Sequence, residues 1–163
     1  KGSLTSRLVA KCAGRFHVRV VAQNWQRPLR NEAQRLGLKP HRLALIRQVY
    51  LYCDDMPWVF ARTVIPHRTL TGKQKFLAHL GSRPLGAVLF ADPHMRRDEI
   101  EVTCLHAGER MYRDAVAVLA QPPACVWGRR SVFYLNNKPL LVNEIFLPGV
   151  TDQGDVTRHN TQL

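Results

Sequence analysis

The sequence predicts an α+β fold, a single domain with an antiparallel sheet and helices on one side of it. Three observations predict it. Two pairs of alternating apolar segments, each joined by a short polar turn, read as β-hairpins. Short amphipathic stretches ending at Gly or Pro fall between the strand pairs, without the regular βαβ alternation of a parallel sheet. The length of 163 residues and a hydrophobic content of 45% suit one domain with a real core.

In chain order, Ser3 to Ala13 reads as a helix, because Leu4, Leu8 and Cys12 recur at i+4 and Gly14 can end it. Phe16–Trp25 alternates like a strand. Arg27–His41 reads as a loop with a short helix at NEAQRLG. Leu43–Cys53 and Trp58–Ile65, joined by Asp54-Asp55-Met56-Pro57, form the first hairpin. Leu70–Gly81 is a short helix with Phe76, Leu77 and Leu80 on its apolar face. Arg83–Phe90 is a turn leading into an apolar segment, Asp98–His106 a strand, and Gly108–Gln121 a helix stopped by Pro122-Pro123. Arg129–Leu135 and Leu140–Pro148, joined by Asn136-Asn137-Lys138-Pro139, form the second hairpin. The domain is expected to span 1–148, with 149–163 a polar tail.

The formal net charge is +12, and arginines outnumber lysines. Such a surface suits nucleic acid, an anionic membrane or a small anionic ligand. The basic residues are scattered in pairs such as Arg96-Arg97 and Arg129-Arg130 rather than gathered in one stripe, which argues against nucleic acid. Arginine also suits bidentate carboxylate binding. No apolar run approaches the roughly 20 residues that cross a bilayer, and KGSLTSRL has no signal-peptide apolar region. Cys12, Cys53, Cys104 and Cys125 form no CxxC pair, and Cys104 lies too close to His106 for the usual zinc spacing. Four unpaired thiols in a reducing cytoplasm are expected.

Strand alternation exposes an anomaly. One face of Lys138–Pro148 carries Leu140, Val142, Glu144 and Phe146. One face of Leu43–Cys53 carries only Arg47 as a charge, and one face of Trp58–Ile65 carries only Arg62. A buried carboxylate requires a partner. One carboxylate with two arginines leaves surplus positive charge inside, which calls for an anionic ligand.

Several stretches in order carry a resemblance: Leu45-Ile46-Arg47-Gln48-Val49, PWVFARTVIP (57–66), Pro84-Leu85-Gly86, Trp127-Gly128-Arg129-Arg130-Ser131 and KPLLVNEIFLP (138–148). Together they resemble the chorismate pyruvate-lyase, or 4-hydroxybenzoate synthase, family over most of Leu4–Pro148. The resemblance implies an antiparallel sheet with helical flaps over a buried site. It implies conversion of chorismate to 4-hydroxybenzoate and pyruvate, the first committed step towards ubiquinone in many bacteria. It also implies no cofactor and no metal, a monomer, inhibition by product, and no nucleic-acid partner. By motif, the carboxylate anchor falls on Arg47 and the active-site glutamate on Glu144. Backbone contacts fall on Leu85 and Leu4, and a second arginine on Arg62, a candidate for the enolpyruvyl carboxylate. The flaps are expected at Leu4–Ala13 and Arg30–Leu38. The family usually has a helical segment ahead of Leu4, and about Ala107 to Val126 resembles an insertion relative to short members.

A cyclic hydrogen transfer to the enolpyruvyl methylene and a stepwise elimination using Glu144 or water both fit these residues. The alternative is a non-catalytic, small-anion-binding effector domain of the GntR class of transcription regulators, which shares the fold. A basic nucleic-acid module, resting on charge alone, is a third reading.

Overall fold

The strands β1 (Phe16–Gln26), β2 (Ala44–Cys53), β3 (Met56–Pro66), β4 (Arg96–Arg97), β5 (Glu101–His106), β6 (Cys125–Leu135) and β7 (Lys138–Phe146) make one sheet. Its order is β1-β2-β3-β7-β6-β4, with β5 also on β6, and all pairings are antiparallel. This is a computed structural model, and it describes residues 3–152. The helices are α1 (Leu4–Lys11), α2 (Arg30–Arg35), α3 (Leu85–Ala91), α4 (Arg110–Val116) and α5 (Pro148–Thr151).

The two hairpins differ in regularity. In the second, Asn136 and Asn137 both adopt positive φ, 51° and 61°, as the tightest hairpin turns require. Pairing then runs without interruption from Leu135↔Lys138 to Gly128↔Ile145, which sets Arg129 opposite Glu144. In the first, pairing starts at Cys53↔Met56 and Tyr52↔Pro57 but resumes at Leu51↔Val59, leaving Trp58 as an extra residue. This bulge shifts every later pair by one, so Arg47 faces Thr63 and Arg62 faces Gln48. Trp58 packs with Leu8, Val49, Leu51 and Val59 rather than with Phe60.

Both faces of the sheet are covered, which corrects the expectation of helices on one side. On the first face, α1, the 3-10 segment Gly72–His79 and α3 pack on β2, β3, β6 and β7. Leu77, Leu80 and Leu89 there meet Ile65, Phe133 and Leu140. On the second face, α4 brings Tyr112, Ala115 and Val116 against Tyr50, Phe60 and Ile145. Leu36, just after α2, meets Ile46, Val64 and Leu141. The apparent insertion at 107–126 thus supplies much of one core layer. α2 also lies on this second face, so Arg30–Leu38 does not flank the same surface as α1.

Several elements depart from expectation. Leu85–Ala91 is a helix, started by Pro84 at the N-cap. The segment read as a helix at Leu70–Gly81 winds as 3-10 over Gly72–His79. β3 begins at Met56 and β6 at Cys125, and the short β4 pairs Arg97 with Phe133. The tail begins with α5, whose Val150 packs with Trp58 and Val59. The rest of the polar tail, 153–163, lies outside the described residues.

The cysteines also differ from the expected free thiols. Cys12, just past α1, is bonded to Cys53 at the end of β2, and Cys104 of β5 to Cys125 of β6, with Cα separations of 5.7 and 6.2 Å. The sequence separations, 41 and 21, hid both contacts, because only the docking of α1 and the β5–β6 register bring the sulfurs together. No helix among the described residues is long and apolar enough to cross a membrane.

Candidate active site

A cleft opens on the first face between the sheet and the pair α1 and α3. Leu4 and Thr5 of α1 and Leu85 and Gly86 of α3 form its lid. The two helices touch closely: a Cβ on Gly86 would sit 2.8 Å from Thr5 Oγ1, so a larger residue there would force the Thr5 side chain to shift. Val49, Leu51, Leu89, Phe133 and Val142 give the cleft apolar walls.

Arg47 sits at one end and is only 3% exposed. β2 carries it inward because β2 is covered on both faces, so every second residue must enter a packed layer. Its Nη1 donates to Gln23 Oε1 (3.2 Å) and its Nη2 to the Arg83 carbonyl (3.2 Å). Both acceptors are neutral, and no carboxylate among the described residues pairs with it. Burial alone lowers its pKa from the ordinary arginine value. Gln23 is held in turn by donating to the Ala78 carbonyl at 2.6 Å.

Glu144 sits towards the other end. By the pairing Arg47↔Thr63↔Val142, it lies two strands across and two residues along from Arg47, which is about 12 Å between Cα atoms. Its Oε2 accepts from Arg129 Nε at 2.6 Å, while Oε1 has no hydrogen bond among the described residues. These two side chains remain 18% and 21% exposed, so the pair faces the cleft rather than the sealed core.

Arg97 completes this end. Its Nε donates to Ser131 Oγ at 3.0 Å, and its guanidinium lies over the Phe133 ring, 4.9 Å from the centroid. Its pKa is lowered, first by burial and then by the nearby Arg129, with Glu144 opposing.

Arg62 is elsewhere. It points to the second face, 1% exposed, where its Nε and Nη2 donate to Glu32 Oε1 (2.8 Å) and Oε2 (3.0 Å). Asn143 Nδ2 adds donations to Glu32 Oε1 at 3.2 Å and to the Arg62 carbonyl at 3.1 Å. The Leu29 amide donates to Glu32 Oε2, closing the first turn of α2. Arg62 Nη1 is buried with no acceptor among the described residues. The bulge at Trp58 is the physical reason that Arg62 does not reach the cleft.

Of the residues singled out in the sequence, Arg47, Glu144, Leu85 and Leu4 therefore line one cleft and Arg62 does not. Sequence reasoning missed Arg129 and Arg97. Arg129 was legible, because counting outward from the Asn136-Asn137 turn sets it opposite Glu144. Arg97 had no such signal, since β4 is two residues long. Among the described residues, the one cluster with metal-ligand spacing is Cys104, His106 and Cys125, but its two sulfurs are joined as a disulfide and none of the three lines the cleft.

Residues 1–156 match the family model described as chorismate lyase. A curated relative, named "Probable chorismate pyruvate-lyase", from Methylococcus capsulatus, is 45% identical over 150 residues, covering 92% of this chain and 91% of that protein. Among solved structures, the PhnF C-terminal domain superposes with a TM-score of 0.65 at 10% identity, covering 91% of this chain and 89% of that one. The ligand-binding domain of a GntR-family transcriptional regulator from Bordetella bronchiseptica gives 0.58 at 16% identity, covering 83% and 84%. At such identities these structures are alike in fold alone.

Proposed function

The chain belongs to the chorismate lyase family, and we propose that it converts chorismate to 4-hydroxybenzoate and pyruvate in this cleft. One observation carries the residue-level reading: among the described residues, buried Arg47 has only neutral acceptors, which leaves its charge to be met by a ligand carboxylate. The ring carboxylate binds Arg47. The backbone amides of Leu4 and Leu85, in helix first turns and without intrahelical acceptors, complete that anchor. The ring hydroxyl donates to the free Oε1 of Glu144.

In the reaction, the carbon bearing the hydroxyl loses its hydrogen and the neighbouring ether C–O bond breaks. The ring becomes aromatic, and the departing three-carbon unit gains a hydrogen to become pyruvate. The site holds one reactive conformer and excludes water. We also propose that no metal or cofactor takes part. A donor set of one carboxylate among three arginines repels a cation, and the arginines themselves stabilise negative charge on the departing group. Aromatisation supplies the driving force. A monomer working in the cytoplasm fits a small-molecule enzyme of this kind.

The test is to add chorismate to the protein in chelator-treated buffer and follow 4-hydroxybenzoate and pyruvate together. Equal amounts of both are expected, and neither appearing would sink the reading. Because α1 and α3 must part to free the product, added 4-hydroxybenzoate should slow the progress curve. A curve unchanged by product would overturn that expectation.

A further inference from the structure

The cleft holds more positive charge than one carboxylate can meet. Among the described residues, Arg47, Arg97 and Arg129 line it with Glu144 as the one acid, a surplus of two positive charges. Arg47 stands apart at the far end. The other surplus charge belongs to Arg97 and Arg129, beside Glu144. Each spends one nitrogen on the protein, Arg97 Nε on Ser131 and Arg129 Nε on Glu144. Neither Nη group of either residue hydrogen-bonds within the described residues.

We propose that Arg97, supported by Arg129, is the clamp for the second carboxylate of the substrate, the one on the enolpyruvyl side chain, and makes the cleft selective for a dianion.

This rests on the chorismate reading, and the substrate's own connectivity supports it. The enolpyruvyl ether is attached to the ring carbon next to the one bearing the hydroxyl, and both lie away from the ring carboxylate. With the ring carboxylate on Arg47 and the hydroxyl on Glu144, the side-chain carboxylate must fall near Glu144. Arg97 and Arg129 are the cations there, whereas Arg62 lies behind the sheet with its own carboxylate partner. The seat of the Arg97 guanidinium over the Phe133 ring and its bond to Ser131 Oγ hold it in place, so its remaining N–H groups form a pre-oriented fork. The assignment also gives the site two modes of binding. Substrate engages Arg47, Glu144 and the Arg97–Arg129 pair, whereas 4-hydroxybenzoate, a monoanion, reaches Arg47 and Glu144 but has no carboxylate for Arg97.

The decisive experiment separates the two ends. Arg97→Gln should raise KM for chorismate about tenfold to a hundredfold, while the inhibition constant of 4-hydroxybenzoate changes less than about twofold. Arg47→Ala should worsen both. Parallel shifts of KM and the product constant in Arg97→Gln would mean a merely structural role, and no shift in either would remove Arg97 from binding. A second arm needs no variant. A chorismate analogue esterified at the side-chain carboxylate should inhibit the unmutated protein about tenfold or more weakly than the free acid. Equal inhibition by acid and ester would overturn the proposal even if Arg97→Gln failed to fold. Absence of any turnover by the unmutated protein would instead strike at the chorismate reading itself.

Discussion

Arg47 and Arg62 come from adjacent strands of one hairpin, and both are almost completely buried, yet they have opposite surroundings. Arg62 meets Glu32 through two nitrogens and is braced by Asn143. Among the described residues, Arg47 meets only an amide oxygen and a backbone carbonyl. The difference shows how to tell a structural charge from a binding one. A guanidinium neutralised inside the protein is complete as folded. A guanidinium left with neutral acceptors keeps a cost of burial that only an anion from outside removes.

The contrast fails first, and by the largest margin, if Glu32 is not the partner that Arg62 requires. Glu32→Gln should lower unfolding free energy by about 3–5 kcal/mol, because it strands a buried guanidinium. A double replacement, Arg62→Met with Glu32→Leu, should recover most of that loss in a urea titration. A single variant as stable as the parent would mean that water reaches Arg62.

The opposite result is expected across the sheet. Arg47→Ala should weaken 4-hydroxybenzoate binding by about 2–4 kcal/mol in calorimetry. Its melting temperature should hold or rise, since the variant removes an uncompensated charge. A large drop in melting temperature with unchanged affinity would reverse the roles assigned to the two arginines.

Glu144→Gln sharpens the comparison at the other end of the cleft. Glutamine keeps the shape, so packing against Val142 and Phe146 survives. Turnover should fall about 10²-fold, the scale of a lost acid–base or orienting group. The melting temperature should move little, because solvent reaches both Glu144 and Arg129. A strongly destabilised but still active variant would make Glu144 a structural counter-charge, like Glu32.

The smallest effect belongs to an exposed pair on the second face. Glu101 accepts from Arg130 and Arg35, and the hydrogen bond from Arg130 is the main reason its carboxyl pKa lies below 4.5. The unfolded chain therefore takes up this proton at higher pH than the folded one. The pair's contribution is present above about 4.5 and fades as pH falls through the depressed value. Glu101→Gln should flatten the acid limb of a urea-midpoint profile slightly, given that Glu101 is 42% exposed. An unchanged limb would mean that Arg130 and Arg35 do not hold it in solution.

By itself, the sequence determined six of the seven strands, that a turn follows Leu135, and that Arg47 and Glu144 interrupt apolar faces. These follow from local rules: side chains alternate with a period of two, and two asparagines accept the positive φ of a tight turn. Counting from that turn also reaches Arg129 opposite Glu144, because nothing interrupts the ladder between them. The same count fails in the first hairpin. Continued from Cys53↔Met56, it would set Arg62 opposite Arg47, but one bulged residue, Trp58, carries Arg62 through to the other face. A bulge is settled by packing on both sides of the strand, here by the pocket that Trp58 fills beside Leu8 and Val59, and no neighbour in sequence announces it. The same holds for Glu32, Arg97 and the cysteine pairs. Their partners lie far off along the chain, and only the docking of α1 and α2 and the pairing of β4 and β5 with β6 brought them together.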